Sequence, residues 1–352
     1  MSRYLVGLSG GVDSSVAAAL LVEQGHEVIG ASLRLVDDPS APSHRSCCSQ
    51  EDLAAARALC AQLDIPYYVF DLRARFDELV IQPFVLDYLQ GRTPNPCVLC
   101  NQHFKFGELL QRALAQGARL ATGHYARLLQ LQGRTWLARA CDRGKDQSYF
   151  LYRLSHQAIV STDFPLGGLT KVEVRAHARR LALSVQHRPE SQEVCFAEEG
   201  AATFVAGRAG RQVCAGVVRD EQGQALGEHA GIHNFTIGQR RGLGIGGGPR
   251  RFVTAIDGSS GAVEVGPDSA LFKRQVILEQ VQWSGEKDMD TKELRAKIRA
   301  RHEPAAVRVQ ARSEASLELE FEQPQRAPAP GQACVIYCGE RVVGGGVIAR
   351  AA

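Results

Sequence analysis

Ser9-Gly10-Gly11-Val12-Asp13-Ser14-Ser15 follows an apolar run at residues 4–8 and precedes a second at residues 16–22. A strand, a tight Gly-Gly turn and a helix start make an anion site. Small residues let the backbone approach a phosphate, while unpaired N–H groups and the helix dipole favour negative charge. The phosphate loop that places Lys before Ser/Thr is absent. A second chemical feature is Asn95-Pro96-Cys97-Val98-Leu99-Cys100-Asn101. Pro94 and Pro96 are expected to hold this approach extended and keep a helix from starting early, so that Cys97 and Cys100 meet on one side of a turn. Such a CxxC serves zinc binding, redox exchange or iron–sulfur ligation. No second CxxC or His pair follows at zinc spacing. Cys195 stands in a polar run, Arg188-Pro189-Glu190-Ser191-Gln192-Glu193-Val194-Cys195-Phe196.

The elements that must position these groups change character along the chain. Through the first 120 residues strand-like and helix-like segments alternate. Strands are expected at 27–32, 67–71 and 119–122, and helices at 50–63 and 104–115. Ser49 with Asp52, and Thr170 with Glu173, have the spacing of capping boxes. Alternation predicts an α/β parallel sheet with helices on both faces, where ligands bind beyond the carboxyl ends of strands. The Gly-Gly turn, Cys47-Cys48 and Thr122-Gly123-His124-Tyr125 all fall there. Beyond residue 200, Gly-rich turns separate short alternating runs at 212–219 and 252–256. After residue 275, β-branched pieces at 276–278, 306–309 and 333–337 dominate, with Pro324, Pro328 and Pro330 marking a loop. A small middle domain and an antiparallel β-barrel are expected, with boundaries at 1–200, 201–268 and 269–352.

The 352 residues carry 41 Lys+Arg against 38 Asp+Glu, a net charge of +3 that points to no global nucleic-acid surface, so any RNA site must be a local patch. No 18-residue apolar stretch and no basic-then-apolar N-terminus is present, which predicts a cytoplasmic protein without membrane attachment. Ten cysteines then suggest metal, redox or buried roles rather than a disulfide framework. Cys60, Cys214, Cys334 and Cys338 read as small residues in or beside packed elements.

The opening loop resembles the SGGxDS loop of ATP pyrophosphatases, which cleave ATP between the α and β phosphates and adenylate a substrate. Together with Cys100 in its Asn-Pro setting and Ser191-Gln192-Glu193-Val194-Cys195-Phe196, it resembles the tRNA-specific 2-thiouridylases. Further runs carry the same resemblance: Cys47-Cys48-Ser49, Thr122-Gly123-His124-Tyr125-Ala126-Arg127, Asp146-Gln147-Ser148-Tyr149-Phe150-Leu151 and Phe235-Thr236-Ile237-Gly238-Gln239-Arg240-Arg241-Gly242-Leu243-Gly244. It spans nearly the whole chain and is weakest over the last 80 residues, where Pro330-Gly331-Gln332 and Gly344-Gly345-Gly346 fit.

The resemblance implies a PP-loop domain related to the adenine-nucleotide alpha hydrolases. It implies ATP held by Gly7, Leu8, Ser9, Gly10, Gly11, Val12, Asp13 and Ser14, with Asp13 acting through Mg²⁺ and Leu33 and Gly123 against the adenosine. Its reaction replaces the 2-oxygen of the wobble uridine (position 34) of tRNAs for Lys, Glu and Gln by sulfur. Cys195 corresponds to a persulfide carrier loaded by a sulfur donor (a persulfide carrier or cysteine desulfurase). Cys100 corresponds to the thiol that closes a Cys100–Cys195 disulfide, which residues 185–200 would have to flex to permit. Contacts with tRNA are implied for Asn95, Pro96, Cys97, His124, Lys145, Asp146, Gln147, Arg299, Ala300 and Gln332. Ala300 replaces a common Tyr and predicts a weaker contact. Arg240-Arg241 and Arg250-Arg251 are candidate phosphate clamps. Cys97 departs from the family's frequent Asp, which leaves two sulfur routes open. One is the persulfide; in the other, Cys97, Cys100 and Cys195 hold a [4Fe–4S] cluster that binds external sulfide. A monomer is expected. Two rivals stay open. A small-molecule ATP pyrophosphatase needs an ammonia source or amino-acid pocket and leaves the cysteine pair unexplained. A non-catalytic RNA-binding or sulfur-relay protein needs neither Asp13 nor ATP.

Overall fold

The computed structural model describes residues 1–36, 49–188, 194–197, 199–210, 213–246, 248–285, 293–313 and 315–352. Cys47, Cys48 and residues 189–193 of the Cys195 run lie outside the described residues. Two compact units form: residues 1–80, 97–198 and 340–342 make the first, and residues 81–96, 199–339 and 343–352 the second.

In the first unit, β1 (Arg3–Gly7) leads into α1 (Val12–Glu23), β2 (Glu27–Arg34), α2 (Gln50–Gln62) and β3 (Tyr67–Asp71). Later come β4 (Arg119–Thr122), the hairpin β5 (Ala126–Leu131) and β6 (Arg134–Arg139), and the short β7 (Thr162–Asp163). The sheet order is β3-β2-β1-β4-β7, all parallel. From β1 the chain winds outward through β2 and β3, then returns to place β4 on the other side. The order therefore reverses between β1 and β4, the switch point where doubly wound sheets bind ligands. α1 is buried nearly all round: Val16, Ala17 and Ala18 are fully buried and Ala19 nearly so. A helix apolar on every side belongs in a core, and here Val6, Leu8, Leu59, Val174 and Ala178 surround it. β3 is the edge strand, which leaves Tyr68 and Val69 exposed.

Local chemistry explains where the other helices lie. α3 (Arg73–Phe76) and α4 (Gln82–Leu89) precede α5 (Pro96–Cys100), which continues through a wider π-helical stretch, Asn101–Leu109, into α6 (Leu110–Ala115). Pro96 does not delay this helix as the sequence suggested; it opens it. Proline suits the first helical position, where its missing N–H would have no partner. α7 (His156–Val160) and α8 (Lys171–Arg180) follow. Thr170 and Glu173 form both halves of the capping box of α8. Ser49 accepts from the Asp52 N–H, but the Asp52 carboxylate reaches Arg188 instead of closing its box.

The second unit begins its later part with α9 (Ala201–Ala209). Strands β8 (Gly216–Arg219), β9 (Ala225–His229), β10 (Phe252–Asp257) and β11 (Ala262–Gly266) form a sheet of order β10-β11-β8-β9. It packs around Val218, Phe235, Val253, Val263 and Val265. Strands β12 (Phe272–Trp283), β13 (Leu294–Lys297), β14 (Ala305–Arg312), β15 (Ser316–Arg326), β16 (Ala333–Cys338) and β17 (Arg341–Ala351) follow. Their order β12-β15-β14-β13-β16-β17 closes through β12–β17 into a six-stranded barrel. Alternate residues Leu317, Leu319 and Phe321 point inward and are fully buried. Pro324 lies inside β15 rather than in a loop. The pairing with β12 jumps there, from Lys273–Gln325 to Gln275–Glu320, and such a bulge tolerates a residue with no N–H to donate.

Candidate nucleotide and thiol site

The loop after β1 is built as an anion cradle. Leu8 N–H donates to the Ala31 carbonyl at 2.8 Å, and Ser32 Oγ donates to the Leu8 carbonyl at 2.7 Å, fixing the loop's start to β2. Gly10 has φ +72°, and a Cβ there would meet the Asp52 backbone at 2.6 Å, so glycine is required twice over. Ser9 N–H donates to Ser14 Oγ at 3.2 Å, while Ser14 and Ser15 hydroxyls donate to the Gly11 carbonyl. These serines therefore shape the turn from within. Among the described residues no side chain caps α1 at Gly11, so its first-turn N–H groups face the cradle.

The second wall comes from β4. A Cβ on Gly123 would lie 2.6 Å from the Ser14 nitrogen and 2.7 Å from the Asp13 carbonyl carbon. Gly7, Leu8 and Gly123 thus bring β1, β4 and the start of α1 into direct contact at the switch point. Leu33 lies buried at the end of β2 in the same sheet. Asp13 accepts from Tyr125 Oη at 2.8 Å and from Lys171 Nζ at 2.7 and 2.9 Å. Tyr125 belongs to the Thr122-Gly123-His124-Tyr125 run that the sequence placed at the strand ends, but Lys171 did not stand out. Lys171 is 158 positions away, and no spacing rule links them.

Gln147 and Asp146 form the brace behind this arrangement. Gln147 exchanges bonds with Tyr125, its side-chain oxygen accepting from the Tyr125 N–H and its own N–H donating to the Tyr125 carbonyl. The Asp146 side chain is fully buried and accepts from the N–H groups of Ala140 and Ser148 and from the Ser148 hydroxyl. Both were expected at the RNA surface. The Asp146 carboxylate turns inward because the backbone turn around residues 140–148 needs acceptors there, whereas the half-buried Gln147 amide serves the Tyr125 N–H. Lys145 is half-buried beside them.

His124 also lies inside. Its Nδ1 is 2.9 Å from Thr122 Oγ1, and Phe106 and Phe164 pack around its ring. Burial first, and Lys105 second, push its imidazole well below the usual 6.5. The unfolded ring binds a proton near 6.5 and the folded ring only well below it, so the unfolded chain carries more protons in that window. Stability is expected to fall as pH drops below about 6.5. His124→Gln should flatten that slope; equal loss of denaturant midpoint from pH 7.5 to 5.5 in both proteins would refute it.

The thiols divide by environment. Burial pushes Cys60 and Cys334 up to about 12, so neither supplies a thiolate near neutrality. Cys97 is exposed, Cys100 is buried one turn further along the helix, and Cys195 is half-buried. Spacing by three places Cys97 and Cys100 on one helical side, yet only the first meets solvent. Phe196, next to Cys195, is buried edge-on against Phe76, with ring centroids 5.8 Å apart. Among the described residues no three His, Cys, Asp or Glu side chains gather as metal ligands. Cys97, Cys100 and Cys195 as placed do not fit an iron–sulfur cluster. A single carboxylate does fit Mg²⁺, which binds through one or two carboxylates plus substrate phosphates.

In the second unit, Gln332 Nε2 donates to the Thr93 carbonyl at 2.7 Å and Arg299 donates to the Ala327 carbonyl at 2.7 Å. Both are implied tRNA contacts, and in the protein alone both hold backbone carbonyls. The Gly331 backbone sits so close to Thr93 that a Cβ would lie 2.8 Å from its nitrogen, and Thr93 N–H donates to the Pro330 carbonyl. The Pro330-Gly331-Gln332 turn thereby fixes the segment that leads to Asn95 and Pro96, which are half-buried and buried. Ala300 is half-buried. Arg240, Arg241 and Arg250 are exposed, whereas Arg251 pairs with the buried Asp220 at 3.7 Å.

Three family models tile the chain: the tRNA methyl transferase HUP domain over residues 2–199, the tRNA methyl transferase PRC-barrel domain over 202–267 and the aminomethyltransferase beta-barrel domain over 273–348. A tRNA-specific 2-thiouridylase of Magnetococcus marinus is 45% identical over 98% of both chains. One from Chloroflexus aggregans is 44% identical over 99% of both. The chain belongs to the tRNA-specific 2-thiouridylase family. Its PP-loop domain is the parallel-sheet unit that carries Asp13, Gly123, Cys100 and Cys195, followed by a small central domain and the closed barrel. Among solved structures, an NMN synthetase from Francisella tularensis aligns over 60% of this chain and 78% of its own, with TM-score 0.34 and 17% identity. No helix among the described residues of this 2-thiouridylase-family chain is long and apolar enough to cross a membrane.

Proposed function

We propose that the protein is an ATP-dependent tRNA-uridine 2-sulfurtransferase acting on the wobble uridine of tRNAs for Lys, Glu and Gln. The observation that carries this reading is the phosphate cradle at the β1–β4 switch point, in a chain whose relatives are tRNA-specific 2-thiouridylases. A uracil carbonyl oxygen is a poor leaving group. Attack of O2 on the α phosphate of ATP releases pyrophosphate and makes that oxygen part of an AMP leaving group. Backbone N–H groups at the start of α1 hold the phosphates, Asp13 holds Mg²⁺ with them, and Leu33 and Gly123 face the adenosine. Bound Mg²⁺ supplies charge neutralisation on the polyphosphate.

Sulfur then comes from Cys195 carrying a persulfide delivered by an external donor. Its terminal sulfur attacks C2 and AMP departs. The Cys100 thiolate attacks the Cys195 sulfur, releasing 2-thiouridine and closing a Cys100–Cys195 disulfide, which an external two-electron reductant must open. By the family resemblance Cys97 takes the place of a frequent Asp, and its assigned part is proton transfer near the base. Asn95, Cys97, Lys145 and the exposed Arg240, Arg241 and Arg250 would contact the RNA, the base being drawn out of its stack.

Pyrophosphate release is the test. The protein with ATP, Mg²⁺ and unmodified tRNA is expected to release pyrophosphate in step with adenylated RNA, to release AMP only once a persulfide donor is added, and to release almost no pyrophosphate without tRNA. Release that ignores tRNA would favour a small-molecule synthetase, and no release would favour a non-catalytic role.

A further inference from the structure

The sequence lacks the lysine that phosphate-loop proteins place beside their nucleotide, yet a polyphosphate in this cradle would meet a lysine from elsewhere in the chain. Lys171 Nζ lies 2.7 and 2.9 Å from the two carboxylate oxygens of Asp13, the second residue of α1. Its backbone is fixed. Lys171 follows the Thr170 cap of α8, and its N–H donates to Asp142 Oδ2 at 2.9 Å. Val174 and Ala178 of the same helix share a core with Val16 and Ala17 of α1, so α8 cannot drift from the loop. The side chain is only 12% exposed, against 33% for Asp13, and its ammonium lies 5.8 Å from the centre of the Tyr125 ring. A flexible four-carbon stem on a rigid root is therefore aimed at the mouth of the cradle. An ion pair made only for stability would suit an exposed surface equally well and contributes little there. An ammonium that is a compact point charge with three donors suits phosphate.

We infer that Lys171 is the cation of this phosphate site. Without nucleotide it holds Asp13 in place. When MgATP binds, Asp13 turns to the metal and the Lys171 ammonium moves to the β or γ phosphate, while Tyr125 keeps Asp13 oriented. The inference rests on the nucleotide reading above and adds the residue that recognises the polyphosphate.

Binding of ATP and of adenosine, both with Mg²⁺, separates this role from a structural one. Lys171→Met is expected to weaken ATP by about 10- to 100-fold, the range for one charge-assisted bond. Adenosine should change by less than about twofold, since it lacks phosphates and only the ammonium has gone. Lys171→Arg should recover most of the ATP affinity. Equal losses for ATP and adenosine, or no loss for ATP, would overturn the inference. A measurement on the native chain guards against a misfolded variant: acylation of Lys171 by an amine-reactive ester, followed by mass spectrometry, should be slowed by MgATP and not by adenosine. Equal acylation with both would also overturn it. A native chain that binds adenosine but gains nothing from the phosphates defeats this inference alone; one that binds neither defeats the nucleotide reading with it.

Discussion

Cys195→Ala is expected to lower tRNA 2-thiolation by at least ~10³-fold, because it removes the atom that carries the transferable sulfur. The variant should still fold. Cys195 is half-buried, and its segment is anchored by the neighbouring Phe196 against Phe76 and by the Ala197 N–H on the Val194 carbonyl. Losing one sulfur there leaves those anchors intact. Pyrophosphate release with tRNA should continue, since adenylation uses the α1 cradle and not the thiol. The measurement is the 2-thiouridine content of tRNA after incubation with ATP, a persulfide donor and reductant, together with pyrophosphate. Cys60→Ala is the matched control. Its thiol sits in the α1 core with its proton held up to about 12, so the change should leave thiolation intact. Thiolation surviving in Cys195→Ala would remove the persulfide from the reaction.

What the sequence showed, and what it concealed, follows from how far each interaction reaches. The turn from β1 into α1 is local. An apolar run, two glycines and flanking serines dictate it, and Gly10 at φ +72° is the residue such a turn demands. The bounds of β3 and β4 were legible for the same reason, as short apolar runs between breakers. The prolines before Cys97 were misleading because one residue type can bar a helix or open it, and position decides which. Side-chain direction was the least legible. Asp146, Gln147, His124, Arg299 and Gln332 are polar residues in familiar runs, and polarity alone does not say whether a group meets RNA or a backbone carbonyl. Here each meets protein. Lys171 was invisible, since only the packing of α8 on α1 brings it to Asp13.

That packing also fixes the consequence of enlarging Gly123. Gly123→Ala adds a Cβ 2.6 to 2.8 Å from backbone atoms of Asp13 and Ser14, a distance that something must relieve. β4 cannot retreat, because Leu120 and Ala121 are fully buried and Thr122 nearly so. The start of α1 cannot yield easily either. Ser14 and Ser15 hold the Gly11 carbonyl, while Tyr125 and Lys171 hold Asp13. Relief must come from opening the wedge between β1 and β4, the place where adenosine and phosphates are cradled. Overpacking of this kind costs about 1–3 kcal/mol, and if it falls on the bound geometry it weakens ATP by about 5- to 150-fold. Unlike Lys171→Met, it should weaken adenosine too, since the wall itself moves. Gly168→Ala, where a Cβ meets nothing within 4 Å, should leave both affinities unchanged. If Gly123→Ala binds ATP and adenosine as tightly as the native chain, the nucleotide does not lie at the switch point, and the cradle must be assigned to another anion.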